Sequence, residues 1–344
     1  MKKHLFITVM ALLFALSARA EKQTLNLFIW SEYIDPAVVA DFEKQFDCKV
    51  NIDLYEDVES MLAKVQGGGG SLYDVVVPSD HVVTAMIKLS LLAPLRHANI
   101  PNIKNLDPKF TNPPYDRSNK FTIAYQWGTL GVFARQTKDK PLPQSWGGFF
   151  DSQQQPGAFL LIDSPRDMIG AALKYKRYSV NATDPKELKE ARDLIIATKK
   201  RSRGFDGSVG AKNRVLAKTV KTAIVYSGEG VKGMAEDKET IYFIPKEGSI
   251  IWVDNLAVLA KAPHRDLAEK FINFILDPKI GARLSNFIQY SSPNKAALQF
   301  IRPEDLKNPA IYPTPEIMAR LEFLEDLGAK MRLYDEVWTQ VKTK

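Results

Sequence analysis

The N-terminal part of the sequence alternates apolar runs with amphipathic helical patterns, and few folds accommodate this alternation. The apolar runs, each followed by a helical pattern, lie at 25–30, 50–55 and 73–79. Asp35 and Pro36 form a helix-start signal after the first run, with the acid as N-cap and the proline at the first helical position. The order predicts a doubly wound α/β lobe in which ligands bind beyond the carboxyl ends of the strands. Four side chains stand at such ends: Trp30, Tyr33, Ser79 and Asp80.

The run at 248–259 predicts a buried strand, because it is rich in Ile, Val and Leu and carries few polar residues. Trp252, Asp254 and Leu256 lie two residues apart and therefore point to one side of such a strand. An indole beside a carboxylate attracts an organic cation, the ring through its face and the acid through its charge. The alternative interpretation is a core tryptophan beside an acid that caps the next turn.

The rest of the chain predicts a second α/β region and a return to the first. Residues 121–128 and 131–134 are expected to form two strands, the first of which crosses into another lobe. Further strands, each followed by a helical pattern, are expected at 159–162 and 222–226. The last elements expected are two helices, at 315–327 and 334–341.

Residues 1–20 have the pattern of a signal peptide. Two lysines precede an apolar stretch at 5–16, and residues 18–20 have the A-x-A form of a cleavage site. The apolar stretch is too short to span a membrane, and no later stretch is long enough. The mature protein is therefore expected to begin near Glu21 as a soluble, exported chain. No cysteine lies near that point to carry a lipid, which favours the periplasm over a tethered surface protein.

Composition excludes several classes of protein. The sequence contains one cysteine and four histidines, so we expect no intrachain disulfide, no metal site and no cofactor. The formal net charge is +7, but the basic residues are dispersed apart from 199–203, so nucleic acid is not an expected partner. Motifs of serine hydrolases, zinc proteases and nucleotide loops do not occur. A glycosidase pair formed by Asp163 and Asp167 is the enzymatic alternative that remains.

An aromatic residue and a carboxylate recur together at predicted strand ends. These pairs occur at 30–33, 226–229 and 252–254. Further acids and one further ring stand in similar places: Asp80, Asp163, Asp167 and Tyr290. Rings hold a polymethylene chain and cationic nitrogens, while carboxylates and hydroxyls fix each ammonium group. Each pair alone could instead be a ring that seals the core and an acid that caps the next helix.

Seven segments together make the chain resemble a known family: WSEYI at 30–34, YDVVVPS at 73–79, WG at 127–128, TDPKE at 183–187, PKEG at 245–248, WVDNLA at 252–257 and YP at 312–313. On these segments the chain resembles the periplasmic spermidine/putrescine-binding proteins that supply ATP-driven importers. The resemblance covers essentially the whole mature chain. It implies a polyamine ligand, the membrane permease of an ABC transporter as partner, a monomeric state and no catalysis.

The resemblance also implies a two-lobed α/β fold that closes on its ligand about a hinge. The first lobe would comprise roughly 21–128 with 256–298, and the second roughly 129–255 with 299–344. The residues that match the family's cleft are Trp30, Glu32, Tyr33, Ser79, Asp167, Tyr226, Trp252, Asp254 and Tyr290. Asp80, Asp163 and Ser164 complete the set of predicted ligand-binding residues.

Four positions depart from the family's usual pattern. Tyr226 stands where spermidine binders usually carry a tryptophan, and Asp167 where they carry a glutamate. Ser164 replaces an acid and Leu324 an amide, and both lost groups would contact one end of the ligand. Asp163 and Asp80 are the acids that could replace the missing charge, although the parity of an extended chain turns Asp163 away from Ser164. Receptors for another cationic molecule such as thiamine, and a sensor or adhesin, remain alternatives.

Overall fold

The computed structural model of the protein describes residues 22–136 and 141–344, so the predicted signal peptide at 1–20 lies outside the described residues. The N-terminal part alternates strands and helices as predicted: β1 (Gln23–Trp30), α1 (Pro36–Phe46), β2 (Cys48–Tyr55), α2 (Val58–Gln66), β3 (Val75–Val76) and α3 (Asp80–Lys88). β1 lies between β2 and β3 and is parallel to both. Asp35 is the N-cap of α1, because its carboxylate accepts a hydrogen bond from the amide of Ala37.

The middle of the chain forms a second α/β region. Its elements are β4 (Thr122–Arg135), α4 (Gly147–Phe150), β5 (Phe159–Ile162), α5 (Pro165–Tyr175), α6 (Pro185–Lys199), β6 (Phe205–Asp206), α7 (Ser208–Leu216), β7 (Thr222–Tyr226), α8 (Ser227–Glu236) and β8 (Thr240–Phe243). β5 is parallel to β6 and β7. α5 and α8 each begin directly after a strand, so their N-termini face the same edge of the sheet.

The C-terminal part returns to the first region and then covers the second. Its elements are β9 (Ser249–Val258), α9 (Arg265–Ile275), α10 (Pro278–Ile288), α11 (Pro303–Leu306), α12 (Pro315–Met318), β10 (Leu321–Phe323) and α13 (Met331–Thr343). Within the described residues, no helix has the length and apolar character needed to cross a membrane.

The strand order in the sheet is β2-β1-β3-β9-β4-β7-β5-β6, and β9 and β4 are antiparallel neighbours at its centre. The last residues of β9 pair with β3, and its first residues pair with β10. The second half of β4 pairs with β7 and β8. We call the end that contains β1, β2 and β3 the first lobe and the end that contains β5 to β8 the second lobe. β4 and β9 join them.

Two predictions about these strands need correction. The expected strands at 121–128 and 131–134 are one continuous strand, β4, because its pairing with β9 lasts to Thr129 and its pairing with β7 begins at Leu130. The expected helix at 315–327 ends at Met318, and Leu321–Phe323 pairs with the edge of β9 instead. A free strand edge offers backbone partners that outweigh a helical sequence pattern.

The prediction of a buried strand near 248–259 is confirmed, since all ten residues of β9 are buried. Its alternation is also as predicted. Trp252 and Asp254 face the space between the lobes, whereas Ile251 and Val253 pack on the opposite side with Phe110 and Trp127. β9 therefore carries the indole and the carboxylate to the junction of the two lobes.

Candidate functional site

A cleft lies between the two lobes, where the ends of β1, β5 and β7 meet the middle of β9. The structure brings to its walls all the predicted site residues except Glu32 and Asp80: Trp30, Tyr33, Ser79, Asp163, Ser164, Asp167, Tyr226, Trp252, Asp254 and Tyr290. Leu324 also lines the cleft and is buried. The geometry places these residues together, and their role in binding stays a prediction.

One wall of the cleft consists of four aromatic rings in edge-to-face contact. The ring of Trp252 lies 5.2 Å from Tyr290 and 5.8 Å from Tyr226 between centroids. Tyr33 lies 5.4 Å from Tyr290 at an interplanar angle of 83°. Edge-to-face packing of this kind holds each ring in a defined orientation. We call these four residues the aromatic wall.

Two glycines make room for the aromatic wall. A Cβ atom at Gly228 would lie 2.4 Å from the ring of Tyr290, and one at Gly128 would lie 2.6 Å from the ring of Trp252. Real Cβ atoms essentially never approach so closely. Both glycines belong to segments noted in the sequence analysis, 127–128 and 226–229. The sequence alone did not predict that they make room for rings that are distant along the chain.

Asp254 stands at one end of the aromatic wall. Its Oδ1 accepts a hydrogen bond of 2.5 Å from the hydroxyl of Ser79, and the residue is 5% exposed. Burial raises the pKa of this carboxyl to about 7. Tyr33 lies beside it, and the pKa of Tyr33 is raised by burial and by the charge of Asp254. An ammonium group held here would supply the countercharge that the buried acid lacks.

Asp167 stands at the other end of the wall, in the first turn of α5, where the helix dipole favours a negative charge. Its Oδ2 accepts hydrogen bonds from Ser164 at 2.7 Å and from the hydroxyl of Tyr226 at 2.6 Å. Asp167 is 6% exposed. Two buried carboxylates thus flank the rings, one on the joining strand β9 and one on the second lobe.

Asp163 lines the cleft, but its charge is already paired. Its Oδ1 lies 2.8 Å from Nζ of Lys342, near the end of α13. The side chain is 42% exposed, so the ion pair is screened by solvent. Asp163 is therefore poorly placed to supply the charge that is lost where Ser164 replaces the family's usual acid.

Glu32 and Asp80 do not reach the cleft walls. Glu32 has a left-handed backbone with φ of 53°, and its Oε2 faces Lys212 at 3.4 Å and Lys232 at 3.5 Å. Asp80 accepts hydrogen bonds from the amides of Val253 and His81. It lines a separate cavity on the opposite side of β9. Asp80 therefore serves the backbone at the start of α3 rather than the cleft.

The predicted ligand-binding residues do not include Glu59, Arg166 and Glu229, although all three contribute to the lining of the cleft. Glu229 belongs to the recurring pair at 226–229, and Arg166 lies beside predicted site residues, so position alone gave a signal for both. His81, which follows a strand end, also lines the cleft. Arg166 is 2% exposed and donates to the carbonyl of Glu325 and to Asn181. It fixes the C-terminal segment against α5.

The fold and the cleft define a class of protein, the two-lobed receptors that enclose a small molecule at the junction of their lobes. The family model described as bacterial extracellular solute-binding protein matches residues 37–314, and the chain belongs to this family. It is a family of transport receptors rather than a class of enzymes. The predicted two-lobed α/β fold is confirmed by the solved structures to which the chain is similar.

Several characterised proteins resemble the chain over nearly its whole length. The putrescine/cadaverine-binding protein of Pseudomonas aeruginosa is 32% identical over 357 residues, which cover 100% of both chains. The spermidine/putrescine-binding periplasmic protein of Escherichia coli is 30% identical and covers 94% of this chain and 92% of its own. The solved spermidine/putrescine substrate-binding protein of Streptococcus pneumoniae is 29% identical, has a TM-score of 0.79 and covers 93% of this chain and 99% of its own.

Proposed function

We propose that this protein is a periplasmic receptor that captures a polyamine, putrescine or spermidine, between its lobes and delivers it to the permease of an ABC importer. The observation that carries the proposal is the pair of buried carboxylates, Asp254 and Asp167, at the two ends of the aromatic wall. The acids match the terminal ammonium groups of a diamine, and the rings match the apolar chain between them. The names of the similar proteins, several of which bind putrescine, support the same ligand.

The proposed lobes are 21–128 with 256–298 and 129–255 with 299–344. The sheet supports this division, since β4 and β9 are the strands that pair in both lobes. α13 packs against α5 and α6, which supports the assignment of the C-terminal segment to the second lobe. The protein has no catalytic role in this proposal, and it acts as a monomer.

Mass spectrometry of the small molecules released from denatured, purified protein tests the ligand class. A polyamine released in proportion to the protein is expected. Titration calorimetry with putrescine, spermidine and thiamine then tests selectivity, and thiamine serves as the cationic control without a polymethylene chain. Binding of thiamine alone would refute the proposal.

Gly228→Ala is expected to weaken putrescine binding by about tenfold. The added methyl group would press on the ring of Tyr290, and overpacking of this kind costs about 1–3 kcal/mol. Calorimetry compares this variant with Gly148→Ala, whose Cβ would meet nothing closer than 4.0 Å. Equal affinities for the two variants would contradict the role of Gly228 in placing Tyr290.

Ser164→Asp is expected to shift preference from putrescine toward spermidine by about ten- to a hundredfold. The wild type should bind putrescine at least as well as spermidine, because Ser164 and Leu324 offer no charge to an additional ammonium group. An added carboxylate beside Asp167 would offer a charged hydrogen bond, worth about 1.5–3 kcal/mol.

Competition binding of the two amines measures the shift, with Ser164→Asn as the uncharged control of similar size. A wild type that strongly prefers spermidine would contradict this interpretation of Ser164. It would show that another acid of the cleft already serves the additional ammonium group.

A further inference from the structure

Lys212 places a buried ammonium group beside Glu229, a residue of the cleft lining. The residue belongs to α7 and is 4% exposed. Its Nζ lies 3.4 Å from Oε2 of Glu229 and 3.4 Å from Oε2 of Glu32. Glu229 belongs to the second lobe and Glu32 to the first, so one ammonium contacts acids from both sides. A lysine is rarely buried unless it is paired in this way.

Glu229 is the partner that connects Lys212 to the ligand cleft. It lines the cleft and is 4% exposed. Burial raises the pKa of Tyr290, and the charge of Glu229 is the next largest cause of the rise. Glu229 therefore lies close to the aromatic wall. Within the described chain, its Oε2 has no hydrogen-bond partner, and its contact with Lys212 is an ion pair only. A ligand ammonium could therefore compete for the same oxygen.

The charges around Glu229 cancel. Lys232 lies 3.1 Å from Oε1 of Glu229 and 3.5 Å from Oε2 of Glu32. Two lysines thus balance two glutamates, and a ligand meets a neutral cluster at this place. Without Lys212, the cluster would carry one uncompensated negative charge, and part of it would lie on a buried side chain.

We propose that Lys212 is a built-in ammonium group that occupies the position of a third ligand ammonium and so selects a diamine over a triamine. This inference rests on the proposed polyamine function. Asp254 and Asp167 serve the two ends of a diamine. The remaining acids are paired or open to solvent, since Asp163 binds Lys342 and Glu59 is exposed. Among the described residues that line the cleft, a third ammonium would find no free buried carboxylate while Lys212 is in place.

The test compares putrescine and spermidine affinities of wild type, Lys212→Met, Lys212→Arg and Glu32→Gln by titration calorimetry. Lys212→Met should shift the affinity ratio toward spermidine by about tenfold or more, the effect of one charged hydrogen bond. Lys212→Arg keeps the charge and should keep the preference for putrescine. Glu32→Gln weakens the contact between the lobes but leaves Lys212 on Glu229. Because the side chain of Glu32 is 47% exposed, solvent screens the lost charge, and the ratio should not shift toward spermidine.

Two outcomes would overturn the inference. An unchanged ratio in Lys212→Met would show that Lys212 does not select the ligand. An equal loss of affinity for both amines in Lys212→Met and Glu32→Gln would show that the cluster only holds the lobes together. If Lys212→Met does not fold, Glu229→Gln carries the test. It leaves Lys212 and Lys232 with Glu32 as their one remaining acid, so the cluster gains a net positive charge. Both amines should bind more weakly, spermidine more than putrescine, whereas wild-type affinity for both would overturn the inference.

The experiment distinguishes a failure of the proposed polyamine function from a failure of this inference alone. A wild type that binds neither amine would remove the polyamine function and this inference together. A wild type that binds putrescine, with the same ratio in Lys212→Met, would overturn the inference alone.

Discussion

Trp252→Ala is expected to lower the affinity for putrescine by about ten- to a hundredfold. A desolvated cation–π contact contributes about 2 kcal/mol, which corresponds to roughly thirtyfold in affinity. Trp252 is also the ring that contacts both Tyr226 and Tyr290, so its loss frees two further rings of the aromatic wall. The loss of affinity should therefore exceed the loss caused by removing any other single ring of the cleft.

Titration calorimetry measures the loss, and thermal unfolding of the ligand-free protein shows whether the variant is folded. Trp252→Phe is the matched control, because it keeps a ring in the wall and should retain more affinity than the alanine variant. Trp252 is 7% exposed, so some loss of stability accompanies either change. Unchanged affinity in folded Trp252→Ala would rule out the aromatic wall as the ligand seat.

The alternation of β9 was predictable because it follows from local geometry. Side chains two residues apart on a strand share a face, so Trp252 and Asp254 had to point together wherever the strand lay. The alternation of strands and helices, also read from the local sequence, placed Tyr33 and Ser79 beyond the carboxyl ends of their strands. These predictions needed no knowledge of how the two lobes meet.

Asp80 and Glu32 show where such reasoning ends. Both follow strand ends, yet Asp80 turns back to bind the amide of Val253, and Glu32 turns outward to two lysines. Their orientation depends on partners more than 170 residues away along the chain. Lys212 was missed for the same reason, since a lysine in a helical pattern is usually a solvated residue. Only the packing of the folded chain shows that it is buried.

Gly228 and β10 show a second limit. The sequence placed a glycine beside Tyr226, but the need for it arises from the ring of Tyr290, which comes from a distant turn. The segment 321–323 has a helical pattern and forms a strand because β9 offers a free edge there. In both cases a tertiary contact decides what the local sequence leaves open.

Asp254→Asn is expected to lower the affinity for putrescine by about ten- to a hundredfold at pH 8 and to abolish its pH dependence near neutrality. The carboxylate gives the ammonium a charged hydrogen bond, worth about 1.5–3 kcal/mol, and an amide cannot replace its charge. In the ligand-free wild type, burial raises the pKa of this acid from its ordinary 3.8 to about 7. Ligand binding requires the ionised form, so protons compete with the ligand below that pH.

The affinity of the wild type should therefore be constant above about pH 7 and fall, in the limit, by about tenfold for each pH unit below it. Calorimetry between pH 5 and 8 measures the slope, and the Asn variant should show none from this group. His81→Gln is the control for the imidazole that also lines the cleft, and it should keep the slope if Asp254 is its source. A wild-type affinity that does not change between pH 6 and 8 would contradict the assignment.

The same shift in pKa has the opposite consequence for the stability of the ligand-free protein. Because the folded pKa of about 7 lies above the ordinary value of 3.8, the unfolded chain binds fewer protons at this position between those two pH values. The contribution of Asp254 to the free energy of unfolding must then fall as the pH rises from about 4 to about 7, and it is constant above that range.

Asp254→Asn removes this penalty, so the ligand-free variant should be more stable than the ligand-free wild type at pH 8. Putrescine should narrow the difference, because a hundredfold excess over the wild-type dissociation constant adds about 2.7 kcal/mol to the wild type and less to the variant, which binds more weakly. Thermal unfolding of both proteins at pH 8, with and without putrescine, measures the change. A wild type that remains the more stable protein without ligand would show that the buried carboxylate is already compensated by the protein itself.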